Sequence, residues 1–322
     1  NGFYLPFKQD YTVEGFSAVT YTGNGGTQYI GGTGFQPDLV WLKERSSTSH
    51  SNLYDSVRGV QKRLFSSLTD AEETRTNALE SFDSDGFRTG SNGATNQSSQ
   101  TYVAWNWDMG GSNATNTSGS ITSTVRANAT YGQSIVSYTG TNGTDTVGHG
   151  LSSAPEMIIN KSRSFDNAWS VYHKDAGNEY RLILSSAGAK SDDSCWGDTT
   201  PTSSVFTVAT ADTNLDTETY IAYCFHSVTG YSSFGSFDGT GSATAINVTT
   251  GFEPAFLLWK VADASSNRDW YSVDNVRSSD RTEVKEYLRP NLSNAEGTST
   301  SHNVAFTSTG FTVTSTNDEI NS

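Results

Sequence analysis

Asp83 and Asp85 stand at alternate positions in "SFDSDGF", with Gly86 directly after. Oxygen ligands at alternate positions suit calcium. The matching stretches further along, "TPTSSVF" and "AFTSTGF", carry no acid, and the remaining ligands of a calcium loop do not follow. Asp and Gly here read as a turn held by the Asp side chains. Of the histidines His50, His149, His173, His226 and His302, no two are spaced as metal ligands on one element. Serine and aspartate are so abundant that a Ser-His-Asp set would not stand out, because triads are recognised by geometry. No "GxSxG" elbow sits between a strand and a helix. The chain is therefore expected to be non-enzymatic, without catalytic, metal-binding or cofactor-binding residues.

Two further residue types could do chemistry. Tryptophan rings can serve as sugar-stacking platforms, and Trp169, Trp196 and Trp270 lie in irregular surroundings that leave them as candidate ligand contacts; core packing is the competing reading, given the area a Trp buries. Cys195 and Cys224 have no counterparts elsewhere, and two lone thiols fit neither a disulfide scaffold nor a zinc site. They read as small buried apolar groups, with a disulfide between them left open. Several "NxS/T" triplets, such as those at Asn113 and Asn247, are expected by chance in so Asn-, Ser- and Thr-rich a chain.

The elements that must position these residues are written more than once. "GFQPDLVWLK" from Gly34 returns as "GFEPAFLLWK" from Gly251, with "LSSAPEMIINK" from Leu151 between them. "TYVAWNW" from Thr101 returns as "TYIAYCF" from Thr219, a step of 118 (219 − 101) that equals the step from Pro37 to Pro155 (155 − 37). Markers in fixed order at near-fixed spacing mean tandem copies of one unit. Residues 1–10 read as a lead-in from a preceding domain, 11–109 as a first repeat, 131–229 as a second and 230–322 as a third. The intervening 110–130, rich in Gly, Ser, Thr and Asn, reads as a surface connector rather than a core element.

Each copy predicts short strands. In "TYVAWNW", Val103, Trp105 and Trp107 share one face, as do Ile221, Tyr223 and Phe225 in "TYIAYCF". Period two with one apolar face marks a half-buried strand. "LVWLK" is apolar on both faces, as a central strand would be. Trp41 aligns with Ile159 and Leu258, and Phe87 with Phe206 and Phe311; exchange among large apolar side chains is what a core tolerates. The expected fold is all-β: three tandem antiparallel, jelly-roll-like sandwiches. Counted from Phe311, the "TYVAW" strand is due near residue 325, so the third sandwich is expected to lack its last strand, and an incomplete chain is preferred over a strand supplied by a neighbouring chain.

Composition narrows the partners. A formal charge of −14 repels phosphate backbones, so nucleic acid is not expected. No apolar run approaches the roughly 18 residues that span a bilayer. Copied units without a repeated polar constellation suit a part that supplies reach and rigidity, lengthening a rod or widening a surface.

The string "GFQPDLVWLKERSS…LYDSVRG…SFDSDGFRTGS…TYVAWNWDMGG" resembles a tandem domain of unknown function found in virion structural proteins, tail-fibre-like and other appendages, of marine bacteriophages. The resemblance covers nearly the whole chain from Tyr11, and "NGFYLPF" is similar to the segment that follows a concanavalin-like sandwich in such proteins. It implies a virion protein on an extracellular particle, a homo-oligomer in contact with other virion proteins and with a host-surface glycan as a candidate ligand. A carbohydrate-binding adhesin is the second reading. A glycan-degrading enzyme, which needs two carboxylates roughly 5–10 Å apart in a cleft, is the third.

Overall fold

A computed structural model describes residues 15–263, 267–278 and 280–322; the 1–10 lead-in lies outside them. In the first repeat the strands are β1 (Phe16–Thr22), β2 (Gln28–Gly31), β3 (Leu39–Glu44), β4 (Asn52–Asp55), β5 (Lys62–Phe65), β6 (Glu73–Thr74), β7 (Leu79–Asp83), β8 (Gly86–Thr89) and, after one helical turn at Gly93–Asn96, β9 (Thr101–Trp107). They form a six-stranded sheet, β1-β9-β3-β4-β5-β6, and a three-stranded sheet, β2-β8-β7. Every described pairing between these strands is antiparallel.

The connector holds β10 (Ala114–Asn116) and β11 (Ser123–Asn128). The second repeat follows with β12 (Gln133–Thr139), β13 (Asp145–Gly148), β14 (Met157–Ser162), β15 (Ser170–His173), β16 (Tyr180–Ile183), β17 (Ser191–Asp192), β18 (Val205–Val208) and β19 (Thr219–Phe225). Its order, β12-β19-β14-β15-β16-β17, repeats that of the first, and β13-β18 forms the opposing sheet. The connector is thus more than a surface link. The β10-β11 hairpin extends the large sheet beyond β12, and Ile121 and Val125 are buried in the second repeat's core. Its Thr and Val residues suit a half-buried pleated surface, which a count of large apolar residues overlooks.

In the third repeat, β20 (Ile246–Thr249), β21 (Phe256–Lys260), β22 (Trp270–Asp274), β23 (Glu286–Tyr287), β24 (Gly297–Thr298), β25 (Val304–Thr307) and β26 (Gly310–Val313) rebuild part of the unit. β21 pairs with β22, and β20-β26-β25 makes the small sheet. The strand that lies between β1 and β3 in the first repeat, and between β12 and β14 in the second, has no counterpart among the described residues here.

Alternation along the large sheets sorts the side chains into two kinds of core. One face packs against each repeat's own small sheet: Val40, Tyr54 and Tyr102 with Phe87 of the small sheet in the first; Ile158, Tyr172 and Tyr220 with Phe206 in the second; Trp259 and Tyr271 with Phe311 in the third. The other face, carrying Leu39, Trp41, Val103 and Trp105, then Met157, Ile159, Ile221, Tyr223 and Phe225, then Trp270 and Leu288, merges into one cluster shared by all three. Trp107 and Leu258 pack against that cluster while half-buried.

The repeats close on one another. Glu72 N–H donates to Arg163 O (2.8 Å), Lys190 N–H to Ala262 O (2.9 Å) and Glu296 N–H to Arg45 O (2.8 Å), joining first to second, second to third and third to first. A second bond repeats likewise: Asn167 N–H to Thr69 O (2.8 Å), Arg268 N–H to Ala187 O (2.9 Å) and Ser49 N–H to Ser293 O (2.8 Å). The donors Ser49 and Asn167 are equivalent by the same step of 118 (167 − 49). Within this chain the copies therefore form a closed threefold-like ring around a common core, which is not the lengthening of a rod, one of the two uses expected of copying.

Candidate functional site

The boundaries between repeats carry the polar chemistry. Asp55, at the end of β4, is wholly buried. Its carboxylate accepts from the backbone N–H groups of Val57 (3.1 Å) and Arg58 (2.8 Å) and pairs with the Arg58 guanidinium. Tyr223 of the second repeat donates its hydroxyl to the same carboxylate at 2.8 Å. Burial works against the charge of Arg58, but Asp55, then Tyr223 and Glu72, outweigh it and hold the guanidinium above its ordinary range. The third repeat rebuilds the arrangement: Asp274 accepts from Val276 and Arg277, pairs with Arg277, and receives Trp105 Nε1–H of the first repeat at 2.9 Å. The Arg277 guanidinium also lies 5.4 Å from the centre of the Trp105 ring, a cation–π contact.

A lysine recurs at the end of each central strand. Lys43 Nζ donates to Glu44 O (2.9 Å) and Ser49 O (2.7 Å), and Lys161 Nζ to Ser162 O (2.7 Å). Lys260 Nζ donates to Val261 O (3.0 Å), Arg268 O (2.7 Å) and, across a boundary, Ala187 O (3.1 Å). Burial pulls all three ammonium groups down to about 8. The expectation that no polar constellation repeats is thus corrected. The signal was present, since each lysine stands six residues after its proline (43 − 37, 161 − 155, 260 − 254).

Trp169, Trp196 and Trp270 are all buried, at 0%, 2% and 3% exposure, which removes them as stacking platforms for a sugar. Two of them are boundary fasteners: Trp169 Nε1–H donates to Phe65 O of the first repeat (2.8 Å) and Trp270 Nε1–H to Ile183 O of the second (2.9 Å). Trp196 packs inside the second repeat, edge-on to Tyr172 at 6.0 Å. Irregular sequence around a Trp signals a loop that dives into a neighbour as readily as an exposed contact. Cys195 and Cys224 are free and buried in that same core, where burial pushes both thiols well up. Asp83 hydrogen-bonds Ser81 and Asp85 accepts from Gly34 N–H, as turn aspartates do. Among the described residues, no group of three or more His, Cys, Asp or Glu is placed to hold a metal ion.

A groove of about 1010 Å³ lies beside β21. Phe234–Gly239 lines one side and Phe256–Lys260 another; it reaches His173 and Ala176 of the second repeat and Leu39, Trp41 and Trp107 of the first.

Fold and boundaries define a class: an all-β protein of three interlocked sandwich repeats, joined at their boundaries by backbone hydrogen bonds and ion pairs. Residues 12–322 match the family described as Domain of unknown function (DUF7483), and the chain belongs to that family. Neither the curated proteins nor the solved structures returned a match. The family match takes in all three repeats as one unit, as the closed boundary contacts do.

Proposed function

We propose that this chain is a non-enzymatic structural protein of a marine-type bacteriophage virion, serving in a fibre, tail appendage or capsid-bound protein. The observation that carries the reading is the threefold recurrence of the same backbone hydrogen bonds at every boundary, with buried ion pairs at two of them. Such a body is built for rigidity. Its buried carboxylates and lysines already hold partners within the fold. The resemblance of "GFQPDLVWLKERSS" and "TYVAWNWDMGG" to virion repeats supplies the setting. The adhesin reading loses its three proposed aromatic platforms to the interior. Contacts with other virion proteins and self-association belong to this proposal.

Immunogold electron microscopy of source particles, with antibody raised against this chain, tests the proposal. Gold on a tail or capsid is the expected result, and its place tells fibre from head decoration. Chain found only free of particles overturns the reading.

A further inference from the structure

The groove beside β21 has the shape of a position in a sheet. In the first repeat β9 fills that position, pairing β1 on one side (Tyr21↔Tyr102, Phe16↔Trp107) and β3 on the other (Trp41↔Trp105, Lys43↔Val103). In the second, β19 does the same between β12 and β14. The counterparts in the third repeat are Ser232–Asp238 and β21, and both line the groove.

Ser232–Asp238 forms no strand here, but four details match the third site to the other two. The Phe237 ring meets Phe311 at 6.0 Å and 74°, as Tyr21 meets Phe87 (6.3 Å, 73°) and Tyr138 meets Phe206 (6.3 Å, 73°). A Cβ on Gly239 would sit 2.1 Å from Ser322 O, as one on Gly23 would from Gln97 O (2.2 Å) and one on Gly140 from Leu215 O (2.2 Å). Asn321 is buried and bonded to the turn after Gly239, as Asn96 and Asn214 are to theirs. Ala255 holds the place of Asp38 and Glu156, whose amides donate to the last carbonyl of β9 (2.8 Å) and β19 (2.7 Å).

From this match we infer that the groove is a strand-acceptor site, whose occupant is one added β-strand with the alternation of β9 and β19. It enters beside Ser322 and runs antiparallel to β21. Main-chain bonds along both edges give such augmentation its affinity, and alternate side chains give it register. The occupant's chemistry follows position by position. A tyrosine comes second: Tyr102 and Tyr220 stack on Tyr21 and Tyr138 at 4.9 and 5.1 Å, and their hydroxyls accept from Gln97 N–H and Leu215 N–H at 2.8 Å each. Phe237 and Ser322 N–H hold the matching places. An aliphatic residue comes third, beside Lys260, as Val103 and Ile221 lie opposite Lys43 and Lys161. A small residue comes fourth, as Ala104 and Ala222 do. A large aromatic comes fifth and projects to the neighbouring repeat; Trp105 and Tyr223 reach Asp274 and Asp55, and the groove runs to His173, their counterpart. The inference stands independently of the virion reading.

The test uses the 322-residue chain and a labelled synthetic peptide of sequence 100–108, with a second peptide of the same composition whose polar and apolar positions are exchanged. Saturable one-to-one binding of the first alone is expected, with amide exchange across residues 255–262 slowed about tenfold or more. Leu258→Asp and Phe237→Asp, on opposite walls, should each abolish binding while keeping the far-UV circular dichroism of the parent. No saturable binding, equal binding of both peptides, or protection confined to other strands overturns the inference. The exchange measurement on the parent chain decides the matter even where a variant fails to fold.

Discussion

At the scale of residues, Asp55 ties the end of its own strand to the next repeat through Tyr223. It answers two backbone N–H groups, one guanidinium and one tyrosine hydroxyl from the next repeat. Removing one partner from a buried pair strands the other charge, which costs about 3–5 kcal/mol. Asp55→Ala should lower unfolding stability by that amount, and Tyr223→Phe by about 1–2 kcal/mol, both read from urea midpoints. The lysines give a pH signature. Folded, Lys43, Lys161 and Lys260 release their protons near 8, whereas an unfolded lysine holds its proton to about 10.4. Between these values the unfolded chain binds more protons, so stability should rise as pH goes from 8 to 10. Above 10 the trend reverses, because burial pushes the Tyr102 and Tyr220 hydroxyls up to about 12 and the unfolded chain then loses tyrosine protons first. Chemical unfolding at stepped pH checks the rise, and Lys161→Met should make it shallower, with Lys43 and Lys260 still contributing. Much of this was legible: "YDSVRG" and "VDNVRS" display the same Asp–Arg spacing, and the lysine ends all three proline strings. Which partner each group reaches was not, since Tyr223 and Asp55 lie 168 positions apart (223 − 55) and no periodicity links them.

At the scale of elements, alternation placed β9 and β19 and the run of apolar residues placed β3, because burial on one face or two leaves different patterns. The β10-β11 hairpin escaped that logic. Its strands are held by β-branched residues, a Ser123 hydroxyl bond to Gly148 O (2.8 Å) and an Arg126 ion pair to Asp38 (3.0 Å), none of which an apolar count registers. The hairpin also covers the β12 edge, which would otherwise present free N–H and C=O groups. Replacing residues 112–129 with a Gly/Ser linker should leave a folded chain that self-associates through β12. Light scattering after size exclusion would show a dimer or larger species; a strict monomer would mean that the hairpin is not an edge guard.

At the scale of the whole molecule, the shared core dictates how the chain unfolds. Phe16, Trp41, Trp105 and Trp107 of the first repeat pack against the third, with the Phe256 ring 5.3 Å from that of Trp105 and 5.6 Å from that of Phe16. A fragment of residues 15–229 would bare that surface, so it should bind an apolar dye and aggregate where the full chain does not. In the same way, calorimetry of the full chain should give one cooperative transition instead of three separate ones.

Ring closure also fixes a number. An open array can gain or lose a unit through recombination between its copies and still fold, since each unit answers only to its neighbours. Here Glu296 returns to Arg45, so the third copy closes on the first. A fourth copy would find no free boundary, and a loss would break two. The sequences of the three are free to diverge, as Tyr223 for Trp105 and His173 for Asp55 illustrate, while their count is not. A gain or loss of one copy is therefore a change to the whole ring.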